Sequence, residues 1–185
     1  HKYHENEEVT IQRIYQNIAG YHADDLRYDP TFQQVLDKEV LASQPTISRV
    51  NNLLNVDTAK QFQKVNFNLL DRIHSTESPD KIIFDLDSTN LKTCGEQYGT
   101  DYNTHYGANG YHPLLMFDGV TGDLLKVSLR AGNFHTSRKA VSFVGPVFKN
   151  YSKKFSDISL YLRADSGFAK PGIYEIAEEH DISYA

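Results

Sequence analysis

Three aspartates give this sequence its clearest capacity for chemistry. Asp85 and Asp87 lie at the end of the apolar run KIIFDLD, and Asp165 lies at the end of a second run, LYLRAD. Side chains of an extended strand alternate between its two faces, so Asp85 and Asp87 share one face of the first run. Two carboxylates on one strand face require a cation between or beside them, and Mg²⁺ prefers such oxygen ligands.

The elements between these two acidic strands predict how they are arranged. HPLLMFD and DLLKVSLR predict an antiparallel hairpin, and a helix is predicted from about Ser137. A right-handed crossover through that helix returns the second acidic strand beside the first and parallel to it, about 4.8 Å away. We therefore expect Asp87 and Asp165 to hold the same divalent ion.

The rest of the second half extends this order. Pro146 predicts a kink or an early end of the crossover helix, Pro171 suits the first turn of a last helix, and DISYA begins another strand. A three-stranded antiparallel meander followed by helix, strand, helix and strand predicts the α/β class, with an RNase H-like mixed sheet.

Residues 1–78 have helical periodicity instead. Apolar residues at helical spacing predict a first helix that is ended by Gly20. The apolar residues that recur at this three- and four-residue spacing are Ile11, Ile14, Tyr15 and Ile18. Thr31 and Thr46 are candidate N-caps of further short helices. Such helices fit a DNA-reading helix-turn-helix-like unit or a cap on the main domain equally well.

A longer helix is predicted next, with Asp57 as its N-cap. Its predicted inward residues are Ala59, Phe62, Val65, Leu69 and Leu70. The polar, proline-containing stretch STESPD follows and separates the helical pattern from the strands. The predicted domains are therefore 1–78, a helical region, and 79–185, a partial catalytic domain.

Composition limits the possible classes of function. The 185 residues carry a net charge of −5, which argues mildly against nucleic-acid binding, but 126–163 holds eight basic residues and one acid. An ordinary solvated helix face is the alternative explanation of that segment. Without a membrane-length apolar run or a signal pattern, we expect a cytoplasmic protein that contacts no membrane. Cys94 has no partner for a zinc site.

Long motifs resemble one family. DLDST, HYGANGYHPLLMFDGVTGDLLKVSLRAGN and LRADSGFA resemble the core of bacterial DDE insertion-sequence transposases of the 1380 group, and GYHADDLRYDP and LASQPTISRVNN resemble the N-terminal region of that group. The resemblance covers nearly the whole chain. It implies divalent-metal-dependent cleavage and strand transfer of double-stranded DNA, at transposon ends and target, within a DNA complex that can be homo-oligomeric.

The same resemblance assigns roles to the acids. Asp87 corresponds to the first catalytic aspartate and Asp165 to the second, and both would bind Mg²⁺ or Mn²⁺, two ions in the complete enzyme. The family's third acid, a glutamate, has no counterpart here. We therefore expect a core truncated at its C-terminus and catalytically incomplete. Asp85 is either an outer metal ligand or a structural residue.

Candidate DNA contacts surround these positions. They are basic or polar side chains next to the acidic strands, in the basic segment, or on the predicted Thr46 helix: Arg130, Asn133, His135, Arg138, Lys139, Arg163, Ser166 and Arg49, with Ser48, His105 and Tyr106 as weaker candidates. For each, the alternative is a loop or surface residue that satisfies local backbone groups.

A rival function comes from FDLDST, which also fits the D-x-D-x-T pattern of haloacid-dehalogenase-like phosphatases. There Asp85 would be the nucleophile and Asp87 the general acid. Such an enzyme requires a basic residue and a paired acidic motif on later parallel strands. Here a hairpin comes first and a single acid, Asp165, ends the next core strand, which disfavours the phosphatase. A non-catalytic DNA-binding remnant is the third reading.

Overall fold

The computed structural model describes residues 4–19, 22–95 and 97–185, with the backbone alone at 17–19. Gly20 and the side chain of Ile18 therefore lie outside the described residues. Backbone contacts divide the chain into two compact units, His1–Gln61 and Phe62–Ala185. None of the helices in the described ranges has the length and apolarity that a membrane span requires.

Helices form the first unit. They are α1 Asn6–Ala19, α2 Ala23–Leu26, α3 Pro30–Leu36 and α4 Gln44–Asn51, followed by the start of α5 Val56–Glu77. The N-caps differ from those predicted. Asp29, whose carboxylate accepts from the Phe32 N–H, caps α3 in place of Thr31, and Ser43 caps α4 in place of Thr46, because Pro30 and Pro45 occupy the first helical turns.

The predicted first helix is present as α1, but its apolar spacing does not mark its buried face. Ile11, Ile14 and Tyr15 are 40–49% exposed, whereas Val9 and Gln12 are buried. The Gln12 amide donates to the Ala42 carbonyl oxygen and accepts from the Ala42 N–H, both at 2.9 Å. These two hydrogen bonds satisfy the buried amide, and they orient α1 so that Gln12 faces inward and the apolar stripe faces outward.

The second unit combines two sheets with helices. The strands are β1 Lys81–Ser88, β2 Leu91–Lys92, β3 Asp101–Asn103, β4 Ala108–Tyr111, β5 Leu114–Asp118, β6 Leu124–Ser128, β7 Ser159–Ala164 and β8 Ser183–Tyr184, with helices α6 Ala140–Lys154 and α7 Pro171–Glu179. The main sheet has the order β6-β5-β1-β7-β8. The β6-β5-β1 meander is antiparallel, and β7 and β8 add in parallel. This is the RNase H-like α/β order, so the predicted fold class is confirmed.

The core beneath this sheet follows the alternation of the strands. Phe84 and Leu86 of β1 and Leu160 and Leu162 of β7 are buried, and they pack with α6 in one cluster. Asp85 and Asp87 therefore lie on the opposite face, as the sequence predicted. Burying one face of each strand also fixes the register, since a slip by one residue would bring the charged face into the core.

A second sheet, β2-β4-β3, was not predicted. It lies between β1 and β5 in the sequence, and an isolated bridge between Tyr111 and Ala131 connects it to the segment that follows β6. Glycine is required where these backbones meet: a Cβ on Gly132 would lie 2.3 Å from the Asp101 carbonyl oxygen. The Asn103 amide donates to the Gly132 carbonyl oxygen at 2.6 Å, which also holds this segment to the small sheet.

The predicted inward face of α5 is wrong except at Leu70. Phe62, Val65 and Leu69 are 43–65% exposed, while Leu70 and His74 are buried. Inward-facing amides at Gln63 and Asn66 account for the rotation, because they donate to the carbonyl oxygens of Leu125 and Leu124 on the edge strand β6. This part of α5 thus packs with the sheet, within the compact unit Phe62–Ala185.

The crossover helix α6 differs from its prediction at both ends. Lys139 has a left-handed backbone (φ 62°), so the helix begins at Ala140 rather than near Ser137. It also continues past Pro146 to Lys154. Pro146 is exposed, while its neighbours Gly145 and Val147 are buried against the core. Packing on both sides of the proline therefore sustains a helix that its sequence disfavours.

Pro146→Ala should stabilise the protein, because alanine restores an amide that can donate to the Ser142 carbonyl and removes the ring clash. We expect the free energy of unfolding to rise by up to about 3 kcal/mol in urea titrations. Lys149→Ala, at an exposed position of the same helix, is the control and should change it by less than about 0.5 kcal/mol. A lower stability of Pro146→Ala would contradict the helix as described.

Candidate metal and nucleic-acid site

Asp87 and Asp165 lie at the same edge of the main sheet. The last residue pair between β1 and β7 is Leu86 with Ala164. Asp87 directly follows Leu86, and Asp165 directly follows Ala164. The predicted adjacency and parallel direction of the two acidic strands are thereby confirmed. Both aspartates are exposed, so a ligand from solvent can reach them.

Backbone amides orient each of these carboxylates. Oδ1 of Asp87 accepts from the Ser88 N–H at 2.7 Å. Oδ1 of Asp165 accepts from the Gly167 N–H at 2.8 Å and so caps the 3₁₀ turn Ser166–Phe168. Across the described ranges, the two Oδ2 atoms accept no hydrogen bond, so each aspartate retains one oxygen for a ligand.

These donors fit a hard divalent cation. Mg²⁺ takes one or two carboxylates and keeps several waters, so exposed carboxylates at a sheet edge suffice. Within residues 4–19, 22–95 and 97–185, no three His, Cys, Asp or Glu side chains converge on a metal position. A metal held here would therefore rest on the Asp87 and Asp165 carboxylates and on ligands from water or substrate.

Asp85 has a different partner. Arg163, its cross-strand neighbour on β7, donates from Nε to Oδ1 at 2.9 Å and from Nη2 to Oδ2 at 2.6 Å. This hydrogen-bonded pair raises the pKa of Arg163. Both Asp85 oxygens are occupied, which favours the structural role over the outer metal ligand. The same contacts turn Arg163, a candidate DNA contact, towards β1.

Arg130 is another candidate DNA contact that the structure turns inward. Its side chain is only 5% exposed, and burial lowers its pKa to about 10, so it stays charged at neutral pH. Nε donates to the His112 carbonyl oxygen, and Nη1 donates to those of His135, Thr136 and Arg138. Arg130 thus holds backbone and presents no donor to a DNA phosphate at the surface.

The segment that Arg130 holds, residues 133–139, is here named the basic loop. Arg138 and Lys139 are exposed, and their charged groups lie 4.2 and 5.6 Å from the centre of the Phe134 ring. Cations attracted to one aromatic face are restrained without being neutralised. These two candidate contacts therefore remain available to phosphate.

The basic loop adjoins the turn of Asp165. A Cβ on Gly167 would lie 3.0 Å from Thr136 Cγ2. The structure thus brings two groups of predicted residues together: the aspartate with exposed Ser166, and the loop with exposed His135. Sequence analysis missed Thr136 and Gly167, because a methyl–glycine contact leaves no pattern in a single sequence.

Other candidates have mainly local partners. Asn133 donates to Oδ2 of Asp101 at 2.6 Å, and His135 Nδ1 lies 3.1 Å from the Ser137 hydroxyl. In the first unit, Arg49 donates to Thr46 Oγ1 and Ser48 is exposed on α4. His105 and Tyr106 are exposed, and their N–H groups donate to Asn103 Oδ1.

A cleft of about 280 Å³ opens beside Asp165. Asp165, Ser166, Tyr174 and Tyr184 line it together with apolar residues of β7 and α7. The two tyrosine rings lie 4.8 Å apart. Sequence analysis did not single out these tyrosines, since aromatic residues on a helix and a strand usually pack in a core.

The fold and the paired acids at its sheet edge define an RNase H-like core with two carboxylates at one site. A family model described as Transposase DDE domain group 1 matches residues 1–185. The chain belongs to this DDE transposase family, which confirms the family resemblance, while the 1380 group within it stays a prediction. No curated protein matches the sequence.

Solved structures give distant similarities. The catalytic domain of Mos1 mariner transposase is 9% identical, with a TM-score of 0.41 over 71% of this chain and 61% of that one. A piggyBac transposase synaptic complex with hairpin DNA is 14% identical, with a TM-score of 0.47 over 98% and 41%. The HTLV-2 integrase catalytic core with magnesium is 17% identical, with a TM-score of 0.38 over 58% and 59%. The chain spans between two fifths and about three fifths of these proteins.

The geometry also bears on the phosphatase alternative. A nucleophilic Asp85 requires a free carboxylate oxygen facing the substrate. Both of its oxygens accept from Arg163, and β5, the next strand of the main sheet in sequence, is antiparallel to β1. Both observations disfavour that reading.

Asp87→Asn and Asp165→Asn should each weaken Mn²⁺ binding, because an amide lacks the charge that balances the cation. Loss of outer-shell partners alone reduces metal affinity by about 10–100-fold, so we expect roughly tenfold or more here. Asp85→Asn is the matched control and should bind Mn²⁺ as the unaltered protein does. Paramagnetic relaxation of water protons measures the three affinities, and a loss in Asp85→Asn equal to the others would make Asp85 a ligand.

Proposed function

We propose that this chain contributes the first two metal-binding carboxylates of a transposase that cleaves DNA strands and joins them to a target. The observation that carries the proposal is the β1–β7 register, in which Asp87 and Asp165 follow the last paired residues of two adjacent strands. Membership of the DDE family supplies the reaction class.

In this proposal Asp87 and Asp165 hold Mg²⁺ or Mn²⁺ through their free oxygens. When bound, a pair of such ions activates the attacking oxygen and stabilises the leaving oxygen of a phosphodiester. The chain's own contribution is orientation: the Ser88 and Gly167 N–H groups hold one oxygen of each carboxylate. A third carboxylate, a glutamate supplied from outside these 185 residues, completes the ligand set.

The DNA-contacting residues of the proposal are those with exposed, available donors. Arg138, Lys139, His135 and Ser166 lie on the basic loop or the Asp165 turn and meet the phosphates next to the metals. Asn133 makes a supporting contact. Arg49 on α4 is a separate candidate of the first unit, and Arg163 acts through Asp85 rather than on DNA.

The DNA partner in this proposal is a transposon end and its target. The protein works on them in the bacterial cytoplasm, at the nucleoid, as part of a protein–DNA complex that can contain more than one copy. The local charge supports a nucleic-acid partner better than the net charge of −5 does, because 126–163 has eight basic residues and one acid.

The 185-residue chain should bind duplex DNA in a salt-sensitive manner and should not cut it with Mg²⁺ or Mn²⁺. Each phosphate contact contributes about −0.9 to the slope of log K against log salt, so Arg138→Gln with Lys139→Gln should reduce the slope by roughly two units. Fluorescence anisotropy with a labelled duplex measures the slope, and a supercoiled plasmid reports nicking.

Lys81→Gln is the matched control, since this exposed lysine lies at the opposite end of β1 from Asp87. It should leave the slope unchanged. An equal loss in Lys81→Gln would mean that the protein binds DNA through diffuse charge. Nicking by the 185-residue chain that disappears in Asp87→Asn would show that these residues already complete the site.

A further inference from the structure

Arg130 is a buried cation whose partners are neutral. Its side chain is 5% exposed, and among the described residues no carboxylate forms an ion pair with it. Burying a charge is costly unless hydrogen bonds compensate for the lost water. Here two of the three guanidinium nitrogens donate to backbone carbonyl oxygens, at 2.8 Å for Nε to His112 and 2.8–3.3 Å for Nη1 to three residues of the basic loop, while buried Nη2 has no hydrogen-bond partner among the described residues.

The backbone carbonyl groups of the basic loop point inward, towards this cation and its neighbour His112. The carbonyl oxygens of His135, Thr136 and Arg138 face Arg130, and that of Phe134 accepts from Nδ1 of buried His112 at 2.8 Å. With these carbonyl groups directed inward, the charged side chains of the loop are left outside. One buried guanidinium thus sets the direction of most of the loop.

The loop in turn supports the second aspartate. Thr136 packs against Gly167 closely enough that a Cβ there would lie 3.0 Å from its methyl carbon. The Gly167 N–H holds Oδ1 of Asp165 at 2.8 Å. A displacement of the loop therefore reaches both the exposed cations and the carboxylate.

We propose that Arg130 is a positioning residue, which holds the basic loop so that Arg138 and Lys139 lie beside the Asp165 turn and engage a DNA phosphate there. The inference rests on the proposed function for the identity of the phosphate. In this proposal Arg130 does not touch DNA. Its removal still weakens DNA binding, by about as much as the loss of Arg138 and Lys139 does.

A positioning role and a direct phosphate contact predict different results when the change at Arg130 is combined with changes at Arg138 and Lys139. A direct contact adds its own loss to that of Arg138→Gln with Lys139→Gln, because independent sites are additive. A positioning residue changes the salt slope only through those two charged side chains, so its removal lowers the slope no further once they are gone. General destabilisation differs again, since it also loosens β1 and β7.

The experiment compares Arg130→Met, Arg130→Lys, the Arg138→Gln with Lys139→Gln variant, and the combination of that variant with Arg130→Met. Amide hydrogen exchange is measured without DNA, and the salt dependence of duplex binding is measured by anisotropy. Arg130→Met should lose exchange protection in the basic loop and at Gly167 while β1 and β7 keep theirs. Its salt slope should fall by roughly two units, and the combined variant should have the same salt slope as the variant without the Arg130 change.

Arg130→Lys keeps the charge with fewer donors and should recover part of both properties. It carries the test if Arg130→Met does not fold. Unchanged exchange in the basic loop, or a further fall of the salt slope in the combined variant, would overturn the positioning role. A parent protein that binds no DNA would overturn the proposed function, and the exchange measurement would still decide whether Arg130 holds the loop.

Discussion

The parallel pairing of β1 with β7 is the constraint on which the site depends. Its register sets Asp85 opposite Arg163 and leaves Asp87 and Asp165 next to each other beyond the last pair. Burial of the apolar face of both strands under α6 holds this register, and a bidentate ion pair spans the solvent face. That pair occupies both oxygens of Asp85, whereas Asp87 and Asp165 each keep one oxygen that a metal ion would need.

Opposite charges are kept close at this sheet edge without cancelling one another. The carboxylates of Asp87 and Asp165 suit cations, while Arg138 and Lys139 on the neighbouring loop suit phosphate oxygens. Phe134 holds the two basic side chains by its ring, so no acid is needed to restrain them. A site that binds a metal ion and a polyanion together requires acidic and basic groups that do not pair with each other. We propose that buried Arg130 keeps them apart by holding the basic loop.

The sequence predicted the sheet well because burial of one strand face leaves a two-residue alternation, as in β1 and β7. Apolar spacing did not mark the buried face of α1, and the inward face predicted for α5 was mostly wrong, for one shared reason. In both helices inward-facing amides, buried Gln12 in the first and half-buried Gln63 with Asn66 in the second, bind backbone groups of other segments. Apolar periodicity cannot reveal an inward face that is built on such hydrogen bonds.

Two other features left no readable signal. The strands of the small sheet are two to four residues long, and β4 contains Gly110, so they have no measurable alternation. The inward turn of Arg130 depends on carbonyl groups of residues up to 18 positions away, whereas its sequence context is that of a surface loop. Asp87 and Asp165 could be placed at the ends of adjacent strands from the sequence because each ends an apolar run, which is a local pattern.

Anomalous diffraction from crystals of this protein soaked in Mn²⁺ tests the central claim most directly. The account predicts a manganese peak at coordination distance from both the Asp87 and Asp165 carboxylates, with the Asp85–Arg163 pair intact. A peak ligated by Asp85 with Arg163 displaced, or manganese bound elsewhere while both aspartates remain free, would contradict it.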